Sequence, residues 1–153
     1  MGDIIKMRRR FKIMSNIEIG KLDDYIIKGN VIRNAVLSHK NKSLQGEGLK
    51  GELCPPSPTR SLEELKQIIP DELGRVLYWD DLIIEGNSVY AVLSEESYEL
   101  LKEDFPNEDW SFLLRAHYKL NTRQENDKII QEITELNVLA IDKYEDKSTI
   151  IFN

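Results

Sequence analysis

The sequence predicts a single α+β domain in which antiparallel β-hairpins pack against two or three helices. Its length of 153 residues suits one domain, and 41% hydrophobic with 31% charged residues is the composition of a globular chain. Short apolar runs with a period of two alternate with segments that begin with helix-capping residues. Fully apolar runs extend over only three or four residues, whereas a transmembrane helix needs about 20.

The predicted domain covers residues 15–153. Residues 1–14 are interpreted as a basic lead-in, for which disorder is one reading. Residues 38–60 are predicted to be a flexible loop, because they contain three prolines and three glycines and show no apolar periodicity.

Two interpretations of residues 25–37 remain open. We favour a β-hairpin that turns at Gly29-Asn30, flanked by two short apolar runs. The rival interpretation is a helix from Asp23 to Leu37. A glycine in the middle of a helix costs about 1 kcal/mol, which counts against that helix.

Capping residues predict three helices. The first is headed by Ser61 and ends at Pro70, and the second is headed by Ser94 and ends at Pro106. The third is headed by Thr122. Its apolar stripe comprises Ile129, Ile130, Ile133 and Leu136.

Apolar runs separated by turn residues predict the strands. Residues 81–84 and 89–93 form the clearest hairpin, and residues 110–120 alternate as a strand does. Residues 138–144 and 148–152 are predicted to pair as a terminal hairpin. Six residues on the apolar phase of these elements are expected to be mostly buried: Ile83, Tyr90, Val92, Leu101, Ile133 and Ile141.

The distribution of charge along the chain indicates which class of partner it binds. The chain carries 21 basic and 27 acidic residues, and its first 13 residues hold five of the basic and one of the acidic ones. The other 140 residues therefore have a net charge of −10. Such a body repels phosphate backbones and attracts basic proteins. We therefore expect a protein partner with a basic surface, and neither a nucleic acid nor a membrane.

Cys54 is the single cysteine, so the chain cannot form an internal disulfide. An unpaired thiol fits a reducing compartment, and we expect a cytoplasmic protein. No motif indicates a metal or a cofactor, and none is expected. A hydrolase that uses Cys54 as nucleophile, with His39 or His117 as base, is one alternative.

The favoured hypothesis is a small, acidic, non-enzymatic intracellular protein that binds another protein, as inhibitors, immunity proteins and adaptors do. Tryptophans beside carboxylates combine a desolvated anchor with electrostatic steering. Both tryptophans could instead belong to the core, since Trp is usually well buried. The predicted protein-binding residues are Trp79, Asp80, Asp81, Glu108, Asp109 and Trp110.

A second alternative is a nucleic-acid-associated protein. It would contact phosphates through the basic residues near the start of the chain, and such contacts are weak and sensitive to salt. These residues are Lys6, Arg8, Arg9, Arg10 and Lys12.

A further alternative comes from a resemblance. A strand with a tyrosine leads into a helix with an aromatic residue and a leucine, at Tyr90, Val92, Leu93, Tyr98 and Leu101. With the run at 24–27 as an opening strand, the segment from Asp24 to Phe105 resembles the DUSP domain of ubiquitin-specific proteases. The resemblance implies a module of the ubiquitin system. The family's Gly-Pro-Ile-Asp-type loop is replaced here by residues 54–58.

Overall fold

Two β-sheets and three helices make up the described part of the chain. A computed structural model describes residues 8–15, 21–22, 25–44, 48–53, 61–107, 109–144 and 150–151. In chain order its elements are β1 (Arg10–Met14), β2 (Lys21–Leu22), β3 (Tyr25–Ile27), α1 (Gly29–Leu44), β4 (Leu49–Gly51), α2 (Leu62–Leu65), β5 (Leu77–Glu85), β6 (Ser88–Leu93), α3 (Glu95–Asp104), β7 (Ser111–Glu125), β8 (Lys128–Tyr144) and β9 (Ile150–Ile151).

The two sheets differ in strand direction. The first has the order β1-β6-β5-β4 and is antiparallel throughout. The second has the order β2-β3-β8-β7-β9 and is mixed, because β3 runs parallel to β8 and β9 runs parallel to β7. The chain therefore has one small α+β fold with antiparallel and mixed sheets, in which strands outweigh helices.

A long hairpin of β7 and β8 forms the centre of the second sheet. Its strands pair from Ser111 opposite Tyr144 to Glu125 opposite Lys128. A two-residue turn joins them, in which Asn126 has a φ of 49° and Asp127 a φ of 64°. Left-handed values at both positions match the twist of a tight hairpin, and Asn and Asp tolerate them.

This hairpin shows that the predicted helix headed by Thr122 is wrong. Thr122 lies within β7 opposite Gln131 of β8. Ile133 is fully buried whereas Ile129 is exposed, so the apolar residues do not share a helical face. Tertiary pairing overrides the capping signal here, because the turn residues close a hairpin.

Residues 25–37 contain a strand followed by a helix, so the favoured hairpin at Gly29-Asn30 is wrong. The rival helix is correct from Gly29 onward, and Tyr25–Ile27 form β3. Gly29 lies at the start of α1 and not in its middle, where its cost would be greatest. The helix buries Ile32, Ala35 and Val36, which share one face.

The flexible loop predicted at 38–60 is also corrected. Helix α1 continues to Leu44, and β4 follows at Leu49–Gly51, where it pairs with β5. Residues 45–47 and 54–60 of the predicted loop lie outside the described residues.

The basic lead-in predicted at 1–14 is not separate from the fold over its second half. Strand β1 lies at the edge of the first sheet, where Arg10 is opposite Val92 of β6. The ring of Phe11 packs edge-on against Phe112 of β7, with 4.8 Å between the ring centroids. Residues 1–7 lie outside the described part.

Several local predictions are confirmed. Strands β5 and β6 form the predicted hairpin, and Gly86 at its turn has a φ of 58°. Ser94 caps α3, because its hydroxyl accepts a hydrogen bond from the Ser97 amide at 3.1 Å. Ser61 likewise accepts from the Glu64 amide at 3.3 Å, although the helix that it heads ends at Leu65 and not at Pro70.

The predicted terminal hairpin is wrong in its pairing. Residues 138–144 belong to β8 as expected, but β9 pairs with β7 and runs parallel to it. Leu114 lies opposite Ile150 in that pairing.

The predicted core is largely buried. Val92, Leu101, Ile133 and Ile141 are buried, whereas Ile83 and Tyr90 are half-buried on the first sheet. None of the described helices is both long and apolar enough to cross a membrane.

Strand β4 crosses β8 at very close range. A Cβ atom added to Gly51 would lie 1.6 Å from the carbonyl oxygen of Ile141, so only glycine fits there. The amide of Lys143 donates to the Glu52 carbonyl at 3.0 Å just beyond the crossing. The two sheets are therefore joined at this point.

Candidate functional site

A fully buried arginine lies beside the β4–β8 crossing. Arg115 of β7 is 1% exposed and uses all five of its N–H donors. Nε and Nη2 donate to the two oxygens of Asp142 at 3.0 and 2.7 Å, and Nη2 also donates to Glu52 at 3.0 Å. Nη1 donates to the carbonyls of Leu65 and Gln67 at 2.8 and 2.9 Å. A buried guanidinium needs this degree of satisfaction to be stable.

The two carboxylates reach Arg115 from different elements. Asp142 lies on β8 and also accepts a hydrogen bond from the Glu52 amide at 2.8 Å. Glu52 directly follows β4, and its carboxylate also accepts from the Ile69 amide at 3.2 Å. The cluster thus ties β4, β7, β8 and the segment after α2 together. We refer to Glu52, Arg115 and Asp142 as the buried ionic cluster.

The buried ionic cluster holds one cation and two carboxylates. Burial raises the pKa of Asp142, while its hydrogen bonds to Arg115 act in the opposite direction. Sequence reasoning missed all three residues. The available signal was a charged residue inside an apolar run, as in Leu113-Leu114-Arg115-Ala116.

Trp79 of the predicted binding surface belongs to the core. It is 4% exposed, and its indole nitrogen donates to the Ile141 carbonyl at 2.9 Å. Its ring packs edge-on against Phe112 with 4.9 Å between the centroids. The expectation of an exposed anchor at Trp79 is therefore corrected, because β5 turns this side chain toward the second sheet.

The structure places Trp110 differently. It is half-buried, its indole nitrogen donates to the Phe105 carbonyl at 3.0 Å, and its ring meets those of Tyr98 and Phe11 at 5.6 and 6.0 Å. Asp109 next to it is exposed. Glu108 lies outside the described residues.

The two aspartates beside Trp79 are in different surroundings. Asp80 is exposed and forms an ion pair with Arg9 at 2.9 Å. Asp81 is half-buried and accepts a hydrogen bond from the Leu82 amide at 2.9 Å. A role of Asp80, Asp81, Asp109 and Trp110 in binding a protein stays a prediction.

The basic residues of the nucleic-acid alternative are partly engaged within the chain. Besides its ion pair, Arg9 donates to the Leu93 carbonyl at 2.7 Å. Arg10 forms an ion pair with Glu85 at 2.6 Å and lies 3.9 Å from the centroid of the Tyr90 ring. The contacts of Arg10 with Glu85 and Tyr90 hold β1 on the first sheet. Lys12, like Arg8, is exposed, and Lys6 lies outside the described residues.

The histidines of the hydrolase alternative lie on different elements. His39 is on α1 and His117 is on β7, and both are half-buried. Cys54 lies outside the described residues. Among the residues that are described, no group of three or more His, Cys, Asp and Glu side chains could hold a metal ion.

Comparisons with known proteins find similarity in a solved structure but not in sequence. No family model matches the chain, so the resemblance to the DUSP domain finds no support there, and no curated protein sequence matches. Among solved structures, the capsid assembly protease of bacteriophage T4 is similar to this chain with a TM-score of 0.52. The two chains are 15% identical, and the likeness covers 88% of this chain and 79% of the protease.

This likeness overturns one expectation from the sequence. The expectation that the chain is not an enzyme is contradicted at the level of fold, because the solved structure that shares its fold is a protease. The sequence did not indicate this fold, because local patterns over the two long strands of the central hairpin predict a strand at 110–120, a helix headed by Thr122 and a strand at 138–144.

Proposed function

We propose that the chain acts on other polypeptide chains in the assembly of a protein shell. The observation that carries the proposal is the likeness in fold to a capsid assembly protease over 88% of the chain. A protein of this kind must receive an extended stretch of its partner, because a peptide bond is accessible to a binding cleft only in an unfolded segment.

The chemistry of the partner follows from charge. The chain has a net charge of −6. Exposed acidic side chains such as Asp109 remain available beside the half-buried ring of Trp110. An acidic protein attracts basic polypeptide segments over a distance of about 10 Å at moderate salt. We therefore propose a partner segment that carries basic residues.

Cleavage of the bound polypeptide is a second candidate function, and the protease fold favours it. Cys54 is the single cysteine of the chain, and His117 is one of its two histidines. Cys54 and His117 are the nucleophile and base to test first, since a thiolate next to an imidazole is an established nucleophilic pair.

One experiment tests both candidates. The full chain is immobilised and incubated with peptides from a digest of bacterial protein made with a Glu-specific protease, whose N-termini have been blocked by reductive dimethylation, which keeps the positive charge of lysine. Mass spectrometry then identifies the retained peptides and any new N-termini. We expect retention of peptides enriched in Lys and Arg. If peptides are neither retained above an albumin control nor cut, the proposed function is wrong.

The same assay separates binding from cleavage. New N-termini that disappear in both Cys54→Ala and His117→Ala assign the cleavage to this pair. New N-termini that persist in both variants place the reaction elsewhere in the chain. Retention without any new N-terminus supports binding alone.

A further inference from the structure

Strand β8 has an open edge beside helix α1. Strand β3 pairs with β8 only at Glu132 and Ile133, and the chain then turns away to begin α1 at Gly29. Farther along the same edge, the amide of Lys143 donates to the Glu52 carbonyl. Within the part of the chain that the structure describes, no strand pairs with the stretch of that edge between these points.

A cleft of about 270 Å³ lies at the start of this open stretch. Four consecutive residues of β8, Thr134 to Asn137, form one wall, and α1 forms the other. The volume is near the lower limit of typical ligand sites, which is about 300 Å³. It therefore suits a short piece of extended chain and not a bulky cofactor.

The walls of the cleft are rich in groups that both donate and accept hydrogen bonds. Asn30 and Asn34 of α1 face Asn137 of β8 across it. An amide side chain offers one acceptor oxygen and two N–H donors, the same groups that a peptide backbone presents. A strand edge on one side and amides on the other complement both edges of an extended peptide.

Glu135 is the charged residue among those that line the cleft, and it is exposed. Its carboxylate forms an ion pair with Lys119 at 3.2 Å, but their side chains are 49% and 69% exposed. Such surface pairs contribute only about 0–1 kcal/mol. A basic side chain of a ligand can therefore replace Lys119 as the partner of Glu135.

We infer that this cleft binds an extended polypeptide segment as an added strand along β8, with a Lys or Arg side chain of the segment paired to Glu135. The inference rests on the proposed function, because it names the site at which the partner polypeptide is received. The added segment pairs with β8 beyond Ile133, where the pairing of β3 with β8 ends.

The test uses the full chain and two pools of fluorescein-labelled decapeptides, blocked at both ends, with random flanking residues. One pool has Arg at its centre and the other has Glu. Fluorescence anisotropy gives the apparent Kd. We expect the Arg pool to bind more tightly, and Glu135→Lys to weaken its binding about fivefold or more and to abolish the preference.

A second variant tests the cleft itself. Asn34→Trp places a bulky ring at the mouth of the cleft from an exposed helix position. We expect this variant to raise the apparent Kd of both pools about tenfold. Glu125→Lys is the matched control, because it makes the same charge change at the exposed tip of the β7–β8 hairpin. Thermal melts by circular dichroism verify that all variants remain folded.

The outcomes separate this inference from the function on which it rests. One result would contradict the inference alone: the pools bind to the unchanged chain, but Glu135→Lys and Asn34→Trp have the same apparent Kd as the Glu125→Lys control. The peptide site then lies elsewhere and the inference is wrong. If neither pool binds the unchanged chain, the proposed function fails together with the inference.

Discussion

Replacing Arg115 by methionine should destabilise the fold by about 3–5 kcal/mol. Methionine has nearly the length of the arginine stem, so the loss of packing is small. The change removes five hydrogen bonds, three of them to carboxylates. It also leaves Glu52 and Asp142 buried without their cation, at 3% and 0% exposure. A typical domain has a total stability of only about 5–15 kcal/mol, so the effect is a large part of it.

Urea unfolding monitored by tryptophan fluorescence measures this loss. Trp79 is in contact with the core at Ile141 and reports on global unfolding. The free energy of unfolding typically falls by about 2 kcal/mol per molar urea. The urea concentration at the midpoint of unfolding should therefore be about 2 M lower for Arg115→Met than for the wild type. A loss below about 1 kcal/mol would show that the buried ionic cluster does not hold the two sheets together.

Two further variants test the physical reason. The triple variant Arg115→Met, Glu52→Gln, Asp142→Asn removes the uncompensated charge, so it should recover part of the stability lost in the single variant. Arg115→Lys keeps the charge but offers three donors instead of a planar fork of five, so it should lie between the wild type and Arg115→Met. If the triple variant is no more stable than the single one, charge compensation is not the cause.

Three other outcomes follow from the structure. Gly51→Ala should prevent stable folding, because its Cβ would lie 1.6 Å from a backbone oxygen of β8, whereas Gly48→Ala, with nothing within 4 Å, should melt like the wild type. Hydrogen bonds, chiefly from the Arg75 backbone amide, lower the pKa of Asp71 below 3.8, so its contribution to stability is present above that pH and is lost as the pH falls further. The stability advantage of the wild type over Asp71→Asn should therefore shrink in melts below pH 3.8. Trp79→Ala should cost about 3–5 kcal/mol in urea unfolding, and Trp110→Ala less, because that ring is only half-buried.

Local signals in the sequence identified local structure well. The caps at Ser61 and Ser94 and the hairpin turn at Gly86 all depend on residues within a few positions of one another. Such contacts need no partner from a distant part of the chain, so they form where no other pairing competes for the same backbone groups. These are the elements that sequence reasoning predicted correctly.

Two of the errors have the same physical cause, which is pairing with another strand. Thr122 has the spacing of a helix cap, yet its backbone is paired with Gln131 across a hairpin. The local pattern predicts that Gly29 forms a turn or interrupts a helix, although it begins α1 after β3 has paired with β8. Propensity is a weak guide where an edge of the sheet competes for the same backbone groups.

The sequence did not reveal the candidate sites, because each of them brings together residues that lie far apart in the chain. Arg115 meets Glu52 from 63 positions away and Asp142 from 27 positions away. The cleft beside Glu135 needs both α1 and the open edge of β8. The sequence predicts a hairpin and a loop in place of α1, and a helix in place of the first part of β8. Neither site has a local motif that could reveal it.

Strand β8 connects the function proposed here to the stability of the fold. One end of it carries Asp142 in the buried ionic cluster, and its middle carries Glu135 at the open edge. Because the buried ionic cluster fixes β8 against β4, the edge that would receive a peptide is held in an extended conformation before binding. A rigid edge loses less conformational entropy when a strand is added to it. Loosening the cluster with Arg115→Lys should therefore weaken peptide binding even though this residue lies outside the cleft.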